Sequence, residues 1–138
     1  MITKPYWLDR SLMLCAYYYC LCLSEKEFKA KMVELEVDLF NMPDSFVGKT
    51  SGAKLHHFIA PNGDMIAIVC LDIEESLKYT PTQVAALLVH EAVHIWQKHA
   101  AKIGSFNDHG DEDEAYAIQN ISQSLMEEYA RRLGVHLK

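Results

Sequence analysis

The apolar positions of the chain follow two different periods. Three stretches repeat apolar side chains every three or four residues and predict helices at about 25–37, 81–102 and 112–133. Three shorter stretches are apolar almost throughout and predict strands at 17–23, 55–60 and 65–71. This order predicts an α+β fold in which the helices pack on a small antiparallel sheet of about three strands.

The predicted ends of these elements carry suitable capping and turn residues. Ser24 and Glu27 form a capping box ahead of the first helix, and Thr80 and Gln83 form a second one ahead of the next helix. The pair Asn62–Gly63 lies between the second and third apolar runs, and this dipeptide is typical of a tight hairpin turn. We therefore predict that those two strands form a β-hairpin.

Length and composition indicate one globular domain that covers residues 1–138. Half of the 138 residues are apolar, and the net charge is −6. Every basic cluster also contains acidic residues, so we expect no nucleic-acid binding. The apolar run at 12–23 is shorter than the roughly 20 residues that span a bilayer and lacks the features of a signal peptide. We expect a cytoplasmic protein that does not bind membranes.

The four cysteines do not show the spacing of a disulfide framework. They are Cys15, Cys20, Cys22 and Cys70. A zinc half-site at the Cys-x-Cys pair is the alternative, but buried free thiols in a reducing compartment are the favoured interpretation.

The pentad His90-Glu91-Ala92-Val93-His94 is the strongest chemical signal in the chain. Positions i and i+4 lie on one face of a helix, so His90 and His94 can bind one zinc ion. Glu91 would then lie beside the metal as a candidate general base. Catalytic zinc sites have three protein ligands and keep the fourth position for water, so a third ligand is expected elsewhere.

Glu114 is the favoured third ligand. It lies on the apolar face of the last predicted helix, on the stripe that continues through Ile118, Ile121 and Leu125, and a carboxylate there is costly unless it is paired or bound to metal. His109 is the main alternative. The acidic residues at 111–113 are less favoured, because acidic side chains are common in the first turn of a helix.

His56 and His57 are a weaker feature of the second predicted strand. Adjacent strand residues face opposite sides of a sheet, so the two cannot easily bind one metal. One of them could face the cleft beside the pentad, although a polar outer face is the favoured interpretation.

Together these residues resemble the zincin peptidases, and more closely their gluzincin branch. The stretch Asp113-Glu114-Ala115 is similar to the Asn-Glu-Ala pattern that carries the third ligand in thermolysin-like peptidases. The resemblance implies that His90, His94 and Glu114 bind Zn²⁺ and that Glu91 is the catalytic base. One departure is Ile118, which stands where the family has an aspartate that orients a zinc histidine; Gln119 or Asn120 would have to replace it.

A closer resemblance is to a group of small metallopeptidases encoded by phages and prophages. It rests on the strings VHEAVHIWQ at 89–97 and EAYAIQ at 114–119, with the LCLSEKEF entry to the first helix. The resemblance implies a zinc-dependent hydrolase, specifically a metallopeptidase that cleaves a peptide or amide bond in a peptide or protein substrate. The alternative is a catalytically weak or inactive zinc-binding phage protein that acts by binding a host partner.

Overall fold

The computed structural model describes residues 4–8, 17–37, 46–47, 52–103 and 111–134. Within these residues the chain forms three strands, β1 (Tyr18–Cys22), β2 (Ala53–Ile59) and β3 (Met65–Leu71). The helices in the same described residues are α1 (Glu25–Glu34), α2 (Ile73–Ser76), α3 (Pro81–Ile103) and α4 (Asp111–Leu133). The predicted α+β class is confirmed.

The sheet is mixed, with the strand order β1-β3-β2. The predicted hairpin is confirmed, because β2 and β3 pair antiparallel with Ala53 opposite Leu71. The prediction of an antiparallel sheet is wrong for β1, which pairs parallel to β3 with Tyr18 opposite Ile66. The connection from β1 passes through α1 and β2 before β3 begins, and such a crossover is what a parallel pair requires.

Helices cover both faces of this sheet. One face carries Leu21, Val69 and Leu71 and packs against Leu88 and Ile95 of α3, with α4 in the same cluster. The opposite face packs against α1 through a second cluster of side chains, which includes Cys20, Ile68, Cys70, Phe28 and Met32. The central strand β3 is therefore buried on both faces, which explains its almost continuous apolar sequence.

The helix starts follow the predicted capping residues. Thr80 and Gln83 form a complete box, in which Thr80 N donates to Gln83 Oε1 at 2.8 Å and Gln83 N donates to Thr80 Oγ1 at 3.2 Å. Ser24 Oγ accepts from Glu27 N at 3.2 Å, but the Glu27 carboxylate accepts from Leu23 N instead of from Ser24 N. The second box therefore positions the start of α3 as expected.

Two elements differ from the prediction by more than two residues. Helix α1 ends at Glu34 and not at Val37, because Glu36 adopts the left-handed conformation with φ 59° and stops the helix. The short helix α2 was not predicted; Asp72 caps it by accepting from the N–H groups of Glu74 and Glu75. A single turn has too few residues to show helical periodicity.

Cys20, Cys22 and Cys70 are buried free thiols, as expected, and Cys15 lies outside the described residues. A hydrogen bond with Cys20, followed by burial, raises the pKa of Cys22, and burial raises the pKa of Cys70. These groups are therefore protonated at neutral pH. Among the described helices, none combines the length and the apolar character that crossing a membrane would require.

Candidate metal site and its cleft

Helix α3 brings the two histidines of the pentad together on one face. The Nε2 atoms of His90 and His94 are 3.1 Å apart, and their rings meet edge to face with centroids 4.7 Å apart. His90 is exposed and His94 is half-buried. Ala92 and Ile95, on the opposite face, are fully buried in the main core, so packing holds the backbone beneath the pair.

The spacing of the two Nε2 atoms fits ligation of one zinc ion. Two Zn–N bonds of about 2.0–2.1 Å at a tetrahedral angle place their nitrogens about 3.3 Å apart. The observed 3.1 Å between His90 and His94 requires only a small closing of that angle. Two imidazole nitrogens of this kind are a donor set that suits zinc.

Gln97 fixes the tautomer of His94. His94 Nδ1 lies 3.0 Å from Gln97 Oε1, and an amide oxygen can only accept, so Nδ1–H donates. The Nε2 atom of His94 therefore carries the lone pair that a metal needs. Metal-binding histidines usually have such a partner for their other ring nitrogen.

Glu91 is buried behind the two histidines with 4% of its surface exposed. Its Oε2 atom makes no hydrogen bond with any described residue. Burial raises the pKa of this carboxyl, and electrostatic interactions with His90 and His94 oppose the rise. A buried carboxylate oxygen without a partner is unusual, and such atoms are common at functional sites.

A cleft runs between strand β2 and helix α3 on either side of Glu91. One depression, of about 580 Å³, is lined by Gly52, Tyr79, Gln83, Ala86 and Leu87. The other, of about 320 Å³, is lined by Lys54, Leu55, His57, His94 and Lys98. Ala53, His90 and Glu91 line both depressions, so the pentad lies at the middle of the cleft.

The two adjacent histidines of β2 face opposite sides of the sheet. His57 is exposed and lines the cleft with His94 and Lys98. His56 is buried on the α1 side, where its ring stacks on Phe28 and its Nε2 lies 3.0 Å from the carbonyl oxygen of Phe46. The favoured interpretation of a polar outer face is therefore wrong for His56, which is buried, while His57 is exposed and also lines the cleft.

The third ligand stays a prediction. Among the residues that the structure describes, no three His, Cys, Asp or Glu side chains are grouped closely enough to hold a metal ion. Glu114 therefore does not form such a group with His90 and His94. Glu114 is half-buried in the first turns of α4. His109 and the side chains at 111–113 lie outside the described residues.

Ile118, which the resemblance to gluzincins would place where an orienting aspartate is expected, takes part in apolar packing. It packs on a small cluster that joins Trp96 and Ala100 of α3 to Ala117 of α4. The hydrogen bond to the ring of His94 comes instead from Gln97, on the same helix as the histidine. Neither Gln119 nor Asn120 makes this contact.

Sequence reasoning missed three side chains of the site, namely Gln97, Lys54 and Lys98. Gln97 follows His94 by three residues and Lys98 follows it by four, so both lie near it on the helix surface. That spacing was visible in the sequence. What was not visible is that β2 lies along this face, because that contact depends on how α3 packs on the sheet.

A comparison of the chain with models of protein families, with curated proteins and with solved structures found no match. The resemblance to gluzincins therefore stays a prediction drawn from the motif around His90 and from Glu114.

Proposed function

We propose that this protein is a zinc-dependent hydrolase that cleaves peptide bonds. The observation that carries the proposal is the arrangement on α3, where two histidine Nε2 atoms lie 3.1 Å apart beside a buried carboxylate, one oxygen of which has no hydrogen-bond partner among the described residues. A chance match to the pentad would not require the histidines to converge or Glu91 to be buried in the cleft. Peptidases of the HExxH type need this combination.

In the proposed mechanism each residue has a separate role. His90 and His94 would hold the zinc ion, with Glu114 as the proposed third ligand. Zinc, when bound, lowers the pKa of a water molecule toward about 7 and polarises the substrate carbonyl. Glu91 Oε2 accepts the proton of the attacking water and then donates it to the leaving amine as the C–N bond breaks. Gln97 keeps the ring of His94 in position.

Strand β2 offers a place for an extended substrate. It pairs with β3 on one side and is an edge strand of the described sheet. An edge strand can accept a further chain as an added strand, with backbone hydrogen bonds that do not depend on the side chains of that chain. A peptide aligned along β2 would pass over Glu91, because Ala53 and Glu91 line the same part of the cleft.

The decisive experiment compares Glu91→Gln with the native protein after both have been loaded with zinc. Peptide hydrolysis, followed by mass spectrometry on a peptide library, should fall by about 100-fold or more, because general base catalysis contributes 10²–10⁴-fold. The zinc content should stay the same, since Glu91 is not a proposed ligand. Undiminished hydrolysis in Glu91→Gln would overturn the mechanism.

A zinc protein that binds a host partner without turnover is the second candidate. The observation in its favour is that apolar packing around Ile118 replaces the aspartate that supports a zinc ligand in active gluzincins. This candidate predicts that the zinc-loaded protein leaves the whole peptide library intact. In a pull-down it should retain one host protein, with one molecule of that protein for each molecule of the zinc protein. Turnover of any library peptide that depends on Glu91 would exclude it.

A further inference from the structure

The two ends of the cleft differ in charge. At the end near Gly52 the side chains other than His90 and Glu91, which line both depressions, are uncharged, and they include Tyr79, Ala86 and Leu87. At the other end lie Lys54 and Lys98, and among the described residues that line this depression the one acidic side chain is Glu91. The chain as a whole has 19 acidic and 13 basic residues. The two lysines of this depression therefore form a local cluster of basic residues in a chain that is acidic overall.

Lys98 lies on the same face of α3 as the two histidines, since 90, 94 and 98 are spaced by four residues. It is half-buried and makes no salt bridge with any residue of the described part of the chain. Burial lowers the pKa of His57, and the positive charge of Lys98 lowers it further. The charge of Lys98 therefore acts on the side of the cleft that β2 forms. An uncompensated cation in a partly buried depression attracts anions more strongly than one in open solvent.

We propose that the depression formed by Lys54, His57 and Lys98 is a subsite for an acidic side chain of the substrate. This proposal rests on the proposed function and specifies its substrate class. Lys98 would pair with the carboxylate, and Lys54 and His57 would lie beside it. The substrate is then a peptide with Asp or Glu near the bond that is cleaved.

The position of that acid follows from the geometry of the cleft. Lys98 lies one helical turn, about 6 Å, beyond His94, and an extended peptide advances about 3.3 Å per residue. An acid about two residues from the cleaved bond would therefore reach Lys98. If the peptide pairs antiparallel to β2, which is the more stable arrangement, its amino-terminal part lies at the His57 end. The acid is then on the amino-terminal side of the cleaved bond.

The test separates binding from hydrolysis. Zinc-loaded Glu91→Gln protein is titrated with fluorescein-labelled peptides that differ only in Glu, Gln or Lys at each position. The Glu peptide should bind at least about tenfold more tightly than the Lys peptide at one position, as expected for a close charge pair. Added salt should reduce the difference. The native protein is then assayed for cleavage of the same set.

Charge variants identify the lysine that is responsible. Lys98→Glu, made in the Glu91→Gln background, should reverse the preference in favour of the Lys peptide, and Lys98→Met should abolish it. The matched control is Lys26→Glu, an equal charge change on α1, which packs on the opposite face of the sheet. Thermal unfolding checks that each variant is folded.

The possible outcomes separate the subsite from the hydrolase activity. Cleavage of Glu and Lys peptides at equal rates, unchanged by Lys98→Glu, would overturn the subsite while the hydrolase function stands. Acid-selective binding that depends on Lys98, without any cleavage by the native protein, would support the subsite and overturn the hydrolase function. Failure of every peptide to bind would overturn the subsite as well.

Discussion

Arg132 of α4 donates to the Oε2 atom of Glu27 in α1, and this ion pair joins two helices that are far apart in the sequence. Both side chains are 7% exposed. Removing one partner of a buried ion pair leaves the other charge without compensation, so Arg132→Met should lower the free energy of unfolding by about 3–5 kcal/mol. Urea denaturation followed by circular dichroism measures this change.

An exposed ion pair of α1 provides the control for that prediction. Lys29 pairs with Glu25, and the two side chains are 61% and 59% exposed. Lys29→Met should therefore cost less than about 1 kcal/mol. Equal losses of unfolding free energy in the two single variants would show that burial does not determine how much the Glu27–Arg132 pair stabilises the fold. The double variant Glu27→Met with Arg132→Met should recover part of the loss, because it leaves no single buried charge.

Gln97→Leu should weaken zinc binding by about tenfold or more, because it removes the acceptor that orients the ring of His94. Competition with a chromophoric chelator measures the zinc Kd. Gln123→Leu is the matched control, since Gln123 is exposed on α4 and contacts Glu127. Nitrogen NMR of the imidazole in the zinc-free protein gives a second readout, in which the Nδ1–H form of His94 should lose its predominance. An unchanged zinc Kd would contradict the role given to Gln97.

The stability of the protein should fall as the pH drops below about 6.5, the ordinary pKa of histidine. Burial lowers the pKa of His56, and its Nε2–H donates to the carbonyl of Phe46. Between the lowered folded pKa and 6.5, the unfolded chain binds more protons than the folded chain. The free energy of unfolding therefore rises with pH in that window, and the contribution is lost as the pH falls through the folded pKa.

Urea denaturation at a series of pH values, in the presence of a chelator, tests this expectation. The variant His56→Gln should show a shallower slope between pH 7 and 5 than the native protein, whatever its stability at neutral pH. Glu34 also makes the free energy of unfolding rise with pH, but at a lower pH, because its contact with Lys31 holds its pKa below the usual 4.5. An identical slope in His56→Gln would assign the acid sensitivity to other groups.

Gly52→Val should close the uncharged end of the cleft. A Cβ atom at Gly52 would lie 3.2 Å from Leu87 Cδ1, which must give way, and 3.4 Å from Tyr79 Cε2, so the larger valine side chain fills the space between them. The value of kcat/KM for peptide hydrolysis should fall by about 10- to 100-fold, since small displacements of a bound substrate have effects of this size. The double variant Gly52→Val with Leu87→Ala should restore much of the activity. Full activity in Gly52→Val alone would place the substrate elsewhere.

Local features of the fold could be predicted from the sequence, and contacts between distant segments could not. The capping box of Thr80 and Gln83 and the span Met65–Leu71 agree with the structure, because capping and apolar periodicity act over a few residues. The parallel pairing of β1 with β3 depends on a crossover whose path no short pattern specifies. For the same reason the sequence indicated that one of His56 and His57 could face the cleft, but not which one.

The crossover to β1 also sets an order for assembly. The β2–β3 hairpin closes through a short turn, in which Asp64 N donates to Asn62 Oδ1, and a small loop of this kind closes quickly. Strand β1 joins only after a much longer segment has folded back, because Tyr18 must find Ile66. In the interval the apolar strand β3 has one unpaired edge, and such an edge promotes association between chains. Refolding yield should therefore decline as protein concentration rises, even under conditions in which the finished domain is stable.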